Sequence, residues 1–348
     1  MRTTATGTLV PSGLVDPMGR IATDLRVSLT DRCNLRCTYC MPAERLEWLP
    51  SPQVLSDDEV VRLVRVAVER LGVRRVRFTG GEPLLRRGLE AIVAATAALR
   101  TVDGRSPEIS LTTNGLGLDK RARALAAAGL GRVNVSLDSL DATQYAELAR
   151  RDRLPGVLAG LIAAAAAGLT PVKVNTVIMR GVNEDQAVPL LRWSIAHGYQ
   201  LRFIEQMPLG PPHTWDRHVM VTAEEILDLL RREFVLASMS PDDRAGAPAE
   251  LWTVVGTGEP AATVGVIGAV TRPFCASCDR TRLTADGQVR SCLFATEEAD
   301  LRGAMRDGAD DAGLADLWRA AMWGKRRAHG IDLPGFHQPG RLMSAIGG

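Results

Sequence analysis

The sequence predicts an α/β fold, an incomplete six-stranded (βα)6 TIM-like barrel with a C-terminal region closing its open side, and three observations carry that expectation. Short β-rich runs alternate six times with longer helical ones between residues 24 and 207, the rhythm of a parallel sheet with right-handed crossovers. Within those runs polar and apolar residues alternate, so one sheet face is apolar and the other is polar. A parallel sheet covered by helices on both faces would instead show near-continuous apolar runs. The polar face therefore lines a hollow, where a closed eight-stranded barrel would carry layers of Val, Ile and Leu.

The elements follow in order. A first strand is expected over 24–30, with Arg26, Ser28 and Thr30 on one face and Leu25, Val27 and Leu29 on the other. The helix after it reads LSDDEVVRLVRVAVERLG: Ser56 and Glu59 form a capping box, an apolar stripe repeats at helical spacing, and Gly72 supplies the left-handed stop. The second strand, 73–79, sets Arg75, Arg77 and Thr79 against Val76 and Phe78. A helix near 88–100 leads to a third strand at 109–113, and a helix at 119–128 to a fourth at 132–138, where Asn134, Ser136 and Asp138 oppose Val133, Val135 and Leu137. After a helix at 155–168, the fifth strand, 172–178, sets Lys173 and Asn175 against Val172 and Val174. A helix at 185–197 precedes the sixth strand, 201–207, which carries Arg202.

Beyond residue 208 the rhythm changes. Thr222 and Glu225 open another capped helix, a Pro/Gly/Ala-rich stretch at 240–250 leads to β-like pieces at 251–255 and 264–267, and helical runs near 297–307 and 313–328 precede a tail ending Ile346-Gly347-Gly348. The expected organisation is an N-terminal extension at 1–23, a partial barrel at 24–210 and a C-terminal domain at 211–348.

A chain of 348 residues, 46% hydrophobic and 24% charged, can bury a sizeable core. Its longest apolar stretch, 158–169, is mostly alanine and falls short of the roughly 20 residues of a membrane span. No secretory signal is visible at the N-terminus, so the expected location is the cytoplasm, without membrane association. A net charge of +2 says little about partners, but the inner face collects Arg26, Arg75, Arg77, Lys173 and Arg202. Buried cations without matching carboxylates are costly unless an anion joins them, which points to a polyanionic ligand such as a phosphate chain.

The six cysteines fall into two triplets, Cys33, Cys37 and Cys40, then Cys275, Cys278 and Cys292. Three thiolates are one short of the four that close a structural zinc site or fill a four-iron cluster, so each triplet predicts a metal centre with one open position. The first lies just after strand one, at the carboxyl end where parallel βα folds keep their sites. Strand two ends in Gly80-Gly81-Glu82-Pro83, whose glycines permit close backbone approach. For the second triplet, a zinc site completed by His329 or His337 is the competing expectation.

The CxxxCxxC spacing of the first triplet is the signature of the radical S-adenosylmethionine (SAM) superfamily. With DLRVSLTDRCNLRCTYCMP, RFTGGEPLLRR, LTTNGLGL, VNVSLDS, VKVNTVI, RFIEQMPLG, FCASCDRTRLTADGQVRSCLFA and the terminal IGG, the chain resembles the GTP 3′,8-cyclase (molybdenum cofactor biosynthesis protein A) family from about Asp24 to Gly348. The resemblance implies two 4Fe-4S clusters, one on Cys33, Cys37 and Cys40, the other on Cys275, Cys278 and Cys292, so that the C-terminal region is an iron-sulfur domain. It implies SAM binding by Tyr39, Gly81, Ser136 and Met207, and GTP binding by Arg26, Arg77, Thr112, Lys173, Arg280, Thr281 and Arg282. A 5′-deoxyadenosyl radical would take the C3′ hydrogen of GTP, and the carbon radical would attack C8 of guanine. The product would be (8S)-3′,8-cyclo-7,8-dihydroguanosine 5′-triphosphate, in the first step of molybdenum cofactor biosynthesis. Implied partners are a reductant protein and cyclic pyranopterin monophosphate synthase downstream; a homodimer is left open.

Two features depart from the family pattern. Arg75 stands where lysine is usual, and RFIEQM replaces RFIEFM; alternation also sets Met207 on the outer face. In the family the Gly347-Gly348 tail enters the active site, whereas chain physics alone favours a frayed end. Two other functions compete with this one. A peptide-modifying radical SAM enzyme would generally carry more cysteines and lack the row of cations. A zinc-stabilised nucleic-acid binder would need aromatic platforms and a basic outer stripe, yet aromatics make up 4% and the cations share an inner face.

Overall fold

Alternating strand sequences become parallel neighbours in chain order. In the computed structural model, which describes residues 2–3, 9–10, 13–44, 46–212, 214–240, 247–258, 260–331 and 336–347, the inner strands are β1 (Asp24–Ser28), β2 (Arg75–Thr79), β3 (Glu108–Thr113), β4 (Arg132–Ser136), β5 (Lys173–Ile178) and β6 (Gln200–Glu205). Each pairs in parallel with the next. Between them run α1 (Asp57–Arg70), α2 (Leu89–Ala97), α3 (Leu118–Ala127), α4 (Ala142–Ala149), α5 (Leu154–Ala166) and α6 (Ala187–Ala196). The capping box of α1 forms in full, with Glu59 N–H donating to Ser56 Oγ at 3.1 Å and Ser56 N–H to Glu59 Oε2 at 2.8 Å, and Gly72 ends the helix at φ 78°.

Sequence reasoning did not anticipate α4. Its signal is the Asp141 N-cap, whose side chain accepts the Gln144 N–H. The helix matters because its C-terminal end holds the first cysteine loop: the N–H groups of Arg36 and Thr38 donate to the carbonyls of Ala149 and Leu148, both at 3.0 Å.

The apolar strand faces pack outward beneath the helices, where Val27, Phe78, Leu111, Val135, Val174 and Phe203 are fully buried. Each contributes about 1.5–3 kcal/mol by leaving water. The sixth strand stops at Glu205, two residues short of the expected end, so Met207 is freed from the alternation that would have fixed its direction. Glu205 takes an outward, apolar-face position yet is fully buried. It accepts the N–H groups of Ala223, Val270 and Thr271 at 2.6, 2.8 and 2.9 Å, together with the Thr271 hydroxyl. The carboxylate thereby anchors the start of α7 (Ala223–Arg231), which has its own capping box of Thr222 and Glu225.

The C-terminal region does more than lie across an open side: it extends both edges of the barrel sheet. After β7 (Leu236–Ser238) and β8 (Glu250–Val254), β9 (Thr263–Ile267) joins β6 in parallel, and β10 (Arg280–Leu283) joins β1 in parallel at the other edge. With β11 (Gln288–Arg290) and β12 (Ala299–Asp300) the open sheet runs β12-β11-β10-β1-β2-β3-β4-β5-β6-β9-β8-β7 among the described residues. Then come α8 (Leu301–Arg306), α9 (Asp311–Trp323) and α10 (Met343–Ile346). Residues 241–246 of the Pro/Gly/Ala-rich stretch, and Gly348, lie outside the described residues. Among those described, no helix is long and apolar enough to cross a membrane.

The segment before β1 is tied to the same region. Arg20 donates from Nη1 to the carbonyls of Cys275 (2.6 Å) and Arg327 (2.9 Å) and from Nη2 to that of Arg326 (2.7 Å), while pairing with Asp16 at 2.5 Å.

Candidate active site

The polar strand faces form the interior. Register sets Arg282 beside Arg26 and Arg26 beside Arg77, one cation on each of β10, β1 and β2. Arg280 is next to Asp24 in the same way. Arg26, Arg280 and Arg282 are all buried, and among the described residues none of Arg26, Arg77, Arg132, Lys173, Arg202, Arg280 and Arg282 forms an ion pair with a carboxylate. Burial and mutual repulsion pull Lys173 down to about 7, with Arg202, Arg132 and Arg77 as the repelling neighbours. Burial would raise the Asp24 carboxyl, but Arg26, Arg77, Arg280 and Arg75 together hold it below its usual value.

Arg132 was not among the cations predicted from sequence. It shares parity with Asn134 and Ser136 on β4, so the same alternation that placed those two inside could have found it. Arg75, by contrast, was expected to line the hollow and is neutralised instead, paired with Asp279 and lying 3.8 Å from Asp24. Along the inner face several buried polar atoms have no partner: Arg26 Nε, Thr112 Oγ1, Arg132 Nη1, Asn134 Oδ1, Asn175 Oδ1 and Arg280 Nη2. Unpaired buried donors and acceptors on one surface are the mark of a polar ligand site. Thr281 faces the other way, its hydroxyl accepting the Trp318 indole N–H at 2.9 Å.

The first cysteine loop sits at the carboxyl end of β1. Cys40 and Met41 donate their N–H groups to the Cys37 carbonyl at 3.0 and 3.2 Å, and Cys33 Sγ accepts from Leu35 N–H at 3.4 Å and Asn114 Nδ2 at 3.7 Å. The GGEP turn presses on this loop: a Cβ on Gly81 would lie 2.3 Å from the Arg32 carbonyl oxygen, and Gly81 N–H donates to the Thr30 carbonyl at 2.8 Å. Tyr39 donates its hydroxyl to Asp138 Oδ2 at 2.8 Å, and a Cβ on Gly210 would lie 2.3 Å from the Tyr39 carbonyl oxygen. Ser136 closes the inner side of β4, whereas Met207 packs against the cluster of Met220, Val270 and Ile331.

Burial dominates the thiol chemistry of this loop. It pushes Cys33 up, Cys37 well up and Cys40 up to about 12, and the nearby carboxylates of Glu82 or Asp138 add to the effect. Such thiols stay protonated until a metal displaces the proton. In the second triplet burial likewise acts to raise Cys278, but Arg280 and Lys325 override it and bring the thiol down to about 7. All six cysteines are free thiols, partly exposed. Among the described residues no three His, Cys, Asp or Glu side chains converge tightly enough for a single ion; a cubane, whose thiolates bind different irons, does not require them to. Of the expected zinc alternatives, His337 is exposed, whereas His329 stands beside the second triplet, its backbone N–H reaching the Cys275 thiol and its Nδ1 accepting the Ile331 N–H at 3.1 Å.

The C-terminal tail ties the first cysteine loop to β1 and β10. The Ser344 N–H reaches the Cys40 thiol, Ser28 Oγ donates to the Ile346 carbonyl, and Arg282 Nη1 donates to the Gly347 carbonyl. Gly347 is therefore docked in the interior rather than frayed.

Residues 27–194 match the Radical SAM superfamily and residues 199–331 match Molybdenum Cofactor Synthesis C. The chain is 62% identical over 337 residues to a GTP 3′,8-cyclase of Corynebacterium glutamicum, covering 96% of this chain and 89% of that one. It is 62% identical over 344 residues to a GTP 3′,8-cyclase of a Mycobacterium species (strain KMS), covering 99% and 96%. In fold it is similar to Streptococcus suis SuiB bound to S-adenosylmethionine, with a TM-score of 0.59 at 14% identity over 91% of this chain and 67% of that one.

Proposed function

The chain belongs to the GTP 3′,8-cyclase family of the radical SAM superfamily, and from that membership we propose how its residues divide the work. It converts GTP to (8S)-3′,8-cyclo-7,8-dihydroguanosine 5′-triphosphate, the first step of molybdenum cofactor biosynthesis. When bound, a reduced 4Fe-4S cluster and SAM supply the 5′-deoxyadenosyl radical that removes the C3′ hydrogen of GTP.

Cys33, Cys37 and Cys40 hold that cluster, and Cys275, Cys278 and Cys292 hold a second one with a position left for substrate. Tyr39, Gly81, Ser136 and Met207 bind SAM. The observation that carries the substrate assignment is the row of unpaired cations and the orphaned donors Arg26 Nε, Arg132 Nη1 and Arg280 Nη2 on the inner strand face, which a triphosphate would satisfy. Arg26, Arg77, Lys173, Arg280 and Arg282 take the phosphates, with Arg132 and Arg202 completing the positive lining and Thr112 giving a neutral hydrogen bond. Thr281 acts as the spacer that turns both flanking arginines to one face. Docking of the tail at Ser28 and Arg282 keeps water and stray hydrogen donors from the reacting carbon.

The division into 1–23, 24–210 and 211–348 belongs to the same reading, supported by the change from βα repeats to antiparallel pairs after β6. So do a cytoplasmic reaction, in keeping with six free thiols, electrons from a reductant protein, and transfer of the product to cyclic pyranopterin monophosphate synthase. Incubated anaerobically with SAM and a chemical reductant, the reconstituted protein should consume GTP and spare ATP. Equal consumption of both, or of neither, would defeat the assignment.

A further inference from the structure

Resting on the reading that Cys275, Cys278 and Cys292 hold a cluster, we infer that Lys325 is a positioning residue for that cluster, its buried ammonium group donating to the Cys278 thiolate and raising the reduction potential of the metal centre. Lys325 follows α9 and is 4% exposed. Its Nζ lies 2.9 Å from the Arg280 carbonyl oxygen, 3.4 Å from that of Cys278 and 3.3 Å from Cys278 Sγ, one acceptor for each proton. Among the described residues no carboxylate pairs with it. An ammonium ion buried on two neutral carbonyls would be uncompensated; the sulfur is the one partner able to carry the opposite charge.

A second cation reinforces the first. The Arg280 guanidinium stacks 4.6 Å over the Phe274 ring, beside the same cysteine. Around the first triplet the field has the other sign. Its sulfurs meet only neutral donors, the Asn114 amide and Leu35 N–H at Cys33 and the Ser344 N–H at Cys40, Arg36 spends its Nη1 donor on the carbonyls of Cys33 and Leu35, and the buried acids nearby are Glu82 and Asp138. Two triplets of identical ligand type are thus given opposite surroundings. Hydrogen bonds and positive charge at a ligating sulfur favour the reduced cluster, so the second centre should be the easier to reduce.

The test is an EPR-monitored redox titration of the full, reconstituted chain and its K325Q and K325R variants, with a C33A/C37A/C40A chain assigning the C-terminal signal. In K325Q, which keeps polar donors but loses the charge, the C-terminal potential should move negative and chelator should strip its iron about tenfold faster. K325R should stay near wild type, and the N-terminal signal should not move. Loss of only the C-terminal irons from K325Q, with SAM cleavage intact, would be the extreme of the same effect. An unchanged C-terminal potential in K325Q, or an equal shift of both clusters, would overturn the role of Lys325 alone. A wild-type chain that binds only about four irons would overturn the two-cluster reading and this inference together.

Discussion

Ser28 Oγ donates to the carbonyl of Ile346 at 2.8 Å across 318 positions of chain, joining the first barrel strand to the C-terminal tail. The next residue, Gly347, adopts φ 84°, and a Cβ there would lie 2.2 Å from Ser28 Oγ and 2.7 Å from Thr79 Cγ2. Alanine meets both a steric and a backbone obstacle. We expect G347A to displace the tail and lower kcat at least about tenfold, roughly 1.4 kcal/mol of barrier, with iron content unchanged. Wild-type turnover in G347A would remove the tail from the machinery.

Arg132 tests the extent of the phosphate site. Its Nη1 is buried without a partner, and a charge-assisted hydrogen bond is worth about 1.5–3 kcal/mol. R132A should weaken GTP binding by about tenfold or more while SAM binding holds, as measured by equilibrium dialysis of each ligand. GTP affinity equal to wild type would place Arg132 outside the site.

Lys173 gives the site a pH dependence whose sign is fixed. Burial and the neighbouring arginines lower it to about 7 in the free protein, and an arriving triphosphate favours the charged form and raises it. Binding therefore takes up a proton above neutrality, and GTP affinity falls as pH rises through 7. Calorimetry at pH 8 in two buffers of different ionisation enthalpy should show greater proton uptake for wild type than for K173R, which stays charged. Equal uptake would contradict the shift.

Glu205 bears on stability rather than turnover. Removing a buried acceptor of three backbone N–H groups and a hydroxyl leaves several donors unsatisfied, at about 1–3 kcal/mol each. E205A should cost at least about 3 kcal/mol in urea unfolding of the metal-free chain. A loss below about 1 kcal/mol would mean that water replaces the carboxylate.

Local signals explain which parts were legible in the sequence. Capping boxes at Ser56 and Thr222 and the two-residue alternation of β1, β2, β4 and β5 depend on near neighbours, and these elements appear, with β1 and β4 ending two residues before, and β2 starting two residues after, the expected bounds. Arg132 was equally legible and was passed over at a strand's first position. The end of β6 was misjudged because nothing in the short run Glu205-Gln206-Met207 marks where pairing stops. Other features depend on partners far along the chain. That β10 would lie beside β1, bringing Arg282 next to Arg26, is fixed by long-range pairing that no periodicity encodes. Neutralisation of Arg75 by Asp279, and the contact of Lys325 with Cys278, are likewise tertiary.

The joint action of two open cysteine triplets on GTP, within one positively lined barrel, is the proposal on which the rest depends. Its most direct test is anaerobic turnover of the reduced protein with SAM and GTP deuterated at C3′. Deuterium should appear in 5′-deoxyadenosine, alongside a cyclised nucleotide that has lost it. Unlabelled 5′-deoxyadenosine with GTP recovered intact would contradict the proposal.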